Sequence, residues 1–375
     1  MSVLKLFSLE QVEHVLSYSN SGGKLGSYVN LLNGDFFVEQ KSPGIALLSV
    51  SEPGESAVFE AIRKELFSLY PSNKNWTLAD AGHFIGESDQ LAETLKELRE
   101  LGFTLMLMST SQTTTHFIYQ SFCIAQETVN LTSIDEAPDL NDSDDILGEK
   151  NWLTHLISYT PNFLFNYTLI GCQQYLCNPD FLNVLNDFHF DVVRLGSMRE
   201  NIKLVEPYFR NSDIVSFDLA AFKSHDIPGL MGAGPNGLNS EEGCRLMRYI
   251  GISNKVKVAA LSGFFESADY GRSAGLTAQL IWHYCDGFFN RTSDGNIGNS
   301  EEYITYKANV AIEGDELVFY KNMRNGKWWI NVAAPHKEHG KPKRRNLVPC
   351  NYEDYVQASN GEVPDVWWRH YMKTS

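Results

Sequence analysis

The chain has 375 residues, with 46 Asp and Glu against 31 Lys and Arg, for a formal charge of −15 at pH 7. An excess of that size argues against sequence-independent nucleic-acid binding, because phosphate contacts need a basic face. Hydrophobic residues at 43% and charged residues at 21% describe a globular chain with material for a core, which excludes disorder along its whole length. The charge is unevenly placed: residues 301–375 hold 10 acids and 11 bases, so residues 1–300 carry −16 and the last segment has a different surface.

No run approaches the roughly 18 to 20 uninterrupted apolar residues of a membrane span. Residues 1–7 also lack the cationic, apolar and cleavage-site series of a secretory leader. The expectation is a soluble, cytoplasmic protein with no membrane contact. Cys123, Cys172, Cys177, Cys244, Cys285 and Cys350 are scattered, with one C-x4-C spacing and no C-x-x-C. They are too dilute for a disulfide scaffold and too dispersed for a zinc site, so reduced thiols are expected.

In chain order, 45–51 (IALLSVS) reads as a buried strand, followed by Pro53, Gly54 and an amphipathic helix over 57–70. A short strand at 76–81 precedes a helix over 89–102 closed by its glycine, and 103–108 is another apolar run. Strand-like segments follow at 127–134, 190–195, 214–219 and 256–261, with helices over 241–250 and 274–289. Continuously apolar strands alternating with helices are the mark of a parallel sheet covered on both faces. Residues 292–300 (TSDGNIGNS) form a linker, past which strands at 303–310, 317–321 and 327–332 open an appended segment.

Ligands collect at the carboxyl ends of strands in such a sheet, so the polar residues that stop the apolar runs are the candidates. Three stops qualify: Ser109-Thr110-Ser111-Gln112-Thr113, Asp135-Glu136-Ala137-Pro138-Asp139, and Asp218-Leu219-Ala220. Their order and spacing resemble the arginase, agmatinase and formimidoylglutamase family, the ureohydrolases. The strand at 45 with Ala61-Ile62-Arg63 looks like the family's opening strand and its helix with an "IR" pair. Asp80-Ala81-Gly82 looks like its "D-x-G" stop, and Asn236-Gly237-Leu238 with Glu241 and Glu242 is similar to its Gly-Leu turn before a helix. Coverage runs over about residues 40–290, and the tryptophan pairs with the ending VPDVWWRHY look closest to the bacterial formimidoylglutamase-like branch.

The resemblance implies an α/β three-layer sandwich around a central parallel sheet, arginase/deacetylase-like, over 1–300, with an aromatic and basic extension over 301–375 packed on it. It also implies two manganese ions sharing a hydroxide that attacks a guanidinium or formimino carbon. The ions would be held by a His of "GGDHS", the Asp, His and Asp of "D-A-H-x-D", and two Asp of "S-x-D-x-D". This chain departs at three of the six positions, with Gln112, Ala137 and Ala220. Asp135, Asp139 and Asp218 remain; with Gln112 they would form one residual all-oxygen set suited to Mn²⁺, Mg²⁺ or Ca²⁺. The family's substrate-facing carboxylate falls near Gly263 in LSGFFE. Three readings stay open: loop-capping aspartates without an ion, one weakly bound divalent ion, and a retained two-metal centre. Convergence of the three carboxylates without a cation predicts a raised pKa in at least one.

Other constellations predict less. His83, His116, His155, His189, His225 and His283 show no paired spacing and read as packed or surface histidines, although His116 follows Gln112 by one turn. Gly232, Gly234 and Gly237 form a turn rather than a phosphate loop, and the hydroxyls of 109–115 lack a partnered His-Asp pattern. Asp142, Asp144, Asp145 and Glu149 read as a solvated loop. In the extension, the basic run 336–345 is flanked by Trp328, Trp329, Trp367 and Trp368. That composition is expected to dock on the acidic body, on a protein partner, or between copies in a homo-oligomer. The functional expectation is a ureohydrolase-like protein with a degenerate site, a non-catalytic binding or structural component. The alternative is a divergent metal-dependent hydrolase of linear C–N bonds.

Overall fold

The computed structural model describes residues 6–19, 22–32, 44–51, 55–141, 146–230, 232–264, 269, 271–297, 299–310, 316–332 and 346–374. Pro53, Gly54, Asp142, Asp144, Asp145 and the basic run 336–345 lie outside them. Ten strands among the described residues form one sheet: β1 (Phe7–Ser8), β2 (Val29–Leu31), β3 (Ile45–Val50), β4 (Leu78–Phe84), β5 (Thr104–Ser109), β6 (Val129–Ile134), β7 (Leu164–Cys172), β8 (Asp191–Arg194), β9 (Ile214–Asp218) and β10 (Val258–Ser262). Their order is β1-β4-β3-β5-β10-β9-β6-β7-β8, with β2 beside β4. All pairings are parallel except that of β1 with β4.

Alternation of side chains explains why the central strands read as unbroken apolar runs. Ile45, Leu47, Met106, Met108, Val215 and Phe217 enter the core on one face. Ala46, Leu48, Leu105, Leu107 and Ile214 enter the core on the other. Helices Ala57–Ser68, Ser240–Gly251 and Arg272–Phe289 cover the first face, and Ser88–Glu100 and Thr114–Ile124 the second. The sandwich thus has the three layers expected. Where the Ser240–Gly251 and Arg272–Phe289 helices cross, a Cβ on Gly251 would stand 2.2 Å from Tyr284 O, and one on Gly287 2.5 Å from Arg248 O. The two helices therefore meet backbone to backbone.

Details of the sequence reading shift. The strand expected at 76–81 begins at Leu78, because Trp76 instead stacks against Phe289 with ring centroids 5.4 Å apart. The helix expected over 57–70 stops at Ser68, where Leu69 turns extended. Arg63 and Asp80, two residues of the resemblance, form a fully buried bidentate pair: Nε–Oδ2 is 2.8 Å and Nη2–Oδ1 3.1 Å. Arg63 Nη2 also donates to Gly82 O at 2.9 Å, so these motif residues tie a helix to the sheet.

After the linker, β11 (Tyr303–Asn309), β12 (Glu316–Asn322), β13 (Trp328–Val332) and β14 (Asn346–Cys350) make a separate antiparallel sheet, followed by helices Tyr352–Ser359 and Asp365–Thr374. Neighbouring Trp328 and Trp329 point to opposite faces of β13, into separate apolar clusters. Arg210 of the body clamps this sheet, donating to Trp328 O and Cys350 O at 3.0 Å each, with its guanidinium 4.6 Å from the Trp329 ring. Among the described residues no helix is long and apolar enough to cross a membrane.

Candidate functional site

The carboxyl ends of β5, β6 and β9 bring the expected residues together. Gln112 follows β5 just before the Thr114–Ile124 helix, Asp135 and Asp139 follow β6, and Asp218 ends β9. Gln112 is buried and turned inward: its Nε2 donates to Asp135 Oδ2 at 3.0 Å, while the Glu136 backbone N–H donates to Asp135 Oδ1 at 2.7 Å. Asp139 accepts the Trp152 indole N–H on Oδ2 at 2.8 Å, and Lys150 Nζ lies 3.4 Å from its Oδ1. Asp218 accepts the Ala220 backbone N–H on Oδ1 at 2.8 Å. Ala137, at the position of the resemblance's second histidine, turns its methyl group to the apolar cluster beneath.

Electrostatics follow from this burial. Desolvation, then the charges of Asp139 and Asp218, push the Asp135 carboxyl well above the usual range. Burial raises Asp139 despite Lys150 and Trp152. Asp218 is pushed up to about 7 by burial, opposed by the Ala220 N–H and reinforced by Asp139. Burial is thus the first cause in all three, and repulsion between the carboxylates adds to it at Asp135 and Asp218. Lys150 is raised by the three aspartates against its own desolvation, so its ammonium is the cation they see.

The family chemistry would need these side chains to present oxygen to an ion. What faces Asp135 is the NH2 end of Gln112, and what faces Asp139 is an ammonium and an indole N–H; all three repel a cation. Among the described residues, no group of three or more His, Cys, Asp or Glu is arranged to hold a metal ion. As arranged, the three carboxylates are held by hydrogen-bond donors of the chain itself.

His116 packs its ring against Phe117, His155 and Tyr159, its Nδ1 is buried without a hydrogen-bond partner, and burial lowers it to about 4. Of the hydroxyls of 109–115, Ser109 pairs with Thr114 at 2.5 Å, Ser111 with Thr113 at 2.8 Å and Thr115 with Ser216 at 2.7 Å. Gly263 has φ +90°, and a Cβ there would stand 2.9 Å from Asp218 Oδ1, so a side chain at this position would have to displace the Asp218 carboxylate and adopt a left-handed backbone. Glu266 lies outside the described residues.

Sequence reasoning missed Lys150 and Trp152. It also missed a hollow of about 520 Å³ between body and extension, lined by Asp191, Tyr208, Asp354, Arg369 and Lys373 among others. There Arg369 donates to Phe190 O at 2.6 Å and lies 3.7 Å from Asp191. No sequence signal joins residues so far apart along the chain.

No protein-family model matches the sequence. No curated protein matches it either. Solved structures do. The formiminoglutamase of Trypanosoma cruzi, solved with Mn²⁺, aligns at TM-score 0.63 and 18% identity over 72% of this chain and 100% of its own. The formimidoylglutamase of Bacillus subtilis aligns at 0.63 and 14% identity, covering 72% and 93%. The agmatine ureohydrolase of Thermoplasma volcanium aligns at 0.53 and 15%, covering 72% and 94%. With the layers, the strand order and the carboxylates at the strand ends already in place, these alignments give the chain the fold of the arginase superfamily.

Proposed function

We propose that the chain keeps the arginase fold without the two-metal hydrolytic centre, and acts as a non-catalytic binding or structural component. The observation that carries this reading is the donor set on the retained carboxylates. Gln112 Nε2 donates to Asp135, and Trp152 Nε1 and Lys150 Nζ donate to Asp139, so these carboxylates are already engaged by donors of the chain itself. Alanine at 137 and 220 supplies no ligand to a second ion. A shared metal hydroxide depends on both ions for its charge stabilisation. Elemental analysis of protein purified with Mn²⁺ is expected to give well under one ion per chain, and arginine, agmatine and formimidoylglutamate are expected to stay intact. Two bound ions, or turnover abolished by Asp218→Ala, would restore the rival reading of a divergent C–N hydrolase.

Binding in this reading falls to the extension. Its two helices expose apolar pairs one turn apart, Tyr352 with Val356 and Trp368 with Met372, the tryptophan 45% accessible. Such paired exposure suits a second copy of the chain or another protein.

A further inference from the structure

We propose that Cys172 and Cys177 form a redox-active dithiol that reduces low-molecular-weight disulfides and is itself oxidised to an intramolecular bridge. Their Sγ atoms lie 3.4 Å apart, although both cysteines are reduced. Cys172 is the last residue of β7, and the turn Gln174–Leu176 carries the chain back to Cys177. The close approach has a backbone cause. Gly171 takes φ +95° and the register of β7 against β8 slips between Ile170 and Cys172, a bulge that re-aims the Cys172 side chain.

Chemistry rather than exposure favours the attacking group, Cys172, which is 2% accessible against 9% for Cys177. It lines two half-open hollows of about 180 and 390 Å³, and Arg194 lines both of them. The hydrogen bond from Cys177, helped by the Arg194 charge and opposed by burial, lowers the Cys172 thiol, whereas the same contact and burial raise Cys177. Arg194, the register partner of Cys172 on β8, places a guanidinium beside that thiol; this geometry gives Cys172 the nucleophile's role and leaves Cys177, 3.4 Å away, to resolve. The other four cysteines have no thiol neighbour among the described residues' hydrogen bonds, and Cys285 is fully buried.

The reaction balances with a small disulfide as oxidant. Cys172 thiolate attacks one sulfur, a mixed disulfide forms, and the first small thiolate leaves and takes up a proton. Cys177 then gives up its proton, attacks the Cys172 sulfur and expels the second small thiolate. Two thiols of the protein are oxidised by two electrons, and one small disulfide is reduced to two thiols. The bridge would close a loop that touches the carboxylate site, since the Gln173 N–H donates to Glu136 O at 2.7 Å. This chemistry is independent of whether Asp135, Asp139 and Asp218 hold an ion.

The test is intact-protein and peptide mass spectrometry of the native full chain exposed to oxidised glutathione. The expected result is a wild-type chain that loses two hydrogens in a Cys172–Cys177 bridge, restored by dithiothreitol. Cys177→Ser should instead retain one glutathione on Cys172, and Cys172→Ser should retain almost none. In the untreated protein, iodoacetamide should modify Cys172 at least about tenfold faster than Cys285. Alkylation of Cys172 no faster than of Cys285, or a wild-type chain that stops at the glutathione adduct, would overturn the proposal.

Discussion

Asp139 holds an indole N–H on one oxygen and an ammonium on the other, so its charge is balanced by the chain itself. Lys150 is 80% exposed, and solvent screens it heavily, so its effect should be read through its pH dependence rather than its size. Lys150→Met is expected to lower the melting temperature more at pH 8, above the value of about 7 to which Asp218 is raised, than at pH 5. Equal losses at both values would mean that the ammonium does not act through its charge. Arg63 and Asp80 behave differently, since both are fully buried. Asp80→Ala leaves an uncompensated guanidinium in the core and should cost about 3–5 kcal/mol in urea unfolding; a cost near zero would contradict the pairing. The candidate carboxylates were legible in the sequence because each stops an apolar run. Lys150 and Trp152 were not, because they reach Asp139 from 11 and 13 residues further on, across a loop with no periodicity.

At the level of elements, legibility followed burial. Strands β3, β5, β9 and β10 are buried on both faces and read as continuous apolar runs. Strand β7 went unread although most of it is equally buried, because Asn166 and Thr168 interrupt its pattern; these two bond to each other at 3.2 Å, and Asn166 also bonds to Asp191. The helix Asp365–Thr374 was legible only as a cluster of aromatics, since its partners are β13 and β14 on one side and the body on the other, far from it in sequence. One clamp on the extension is Arg210, whose loss strands two carbonyls and Glu206. Arg210→Ala should cost about 3 kcal/mol, from hydrogen bonds made by a charged group, and should speed limited proteolysis within 301–375. Proteolysis at the wild-type rate would show that the clamp is dispensable. For the exposed pair on the last helix, Trp368→Glu with Met372→Glu is expected to reduce the size measured by light scattering if that face joins two copies.

Over the whole molecule, two buried populations set the pH response. Burial raises Asp135, Asp139, Asp191, Asp213, Asp218 and Asp354, with Asp218 near 7 and Asp354 near 6. Burial lowers His83, His116 and His370, each to about 4. A raised carboxyl keeps its proton in the folded state where the unfolded chain has lost it, so stability falls as pH rises toward the folded value. A lowered histidine does the reverse, costing stability as pH falls from about 6.5 toward 4. The two oppose each other between those limits, and above about 6.5 the histidines no longer contribute. The melting temperature is therefore expected to fall from pH 6.5 to 7.5, below the value of about 8 to which burial lowers Lys373, and Asp218→Asn should remove part of that fall. A rise over this window in scanning calorimetry would refute the assignment.

The contact between Gly263 and Asp218 also bears on how the site is held. Any side chain added at 263 meets the Asp218 oxygen at 2.9 Å in a left-handed backbone. A substitution there must bear the left-handed backbone and also turn the Asp218 carboxylate away from the oxygen position in which it accepts the Ala220 N–H. The smallest residue in the site therefore fixes where one of its carboxylates is held.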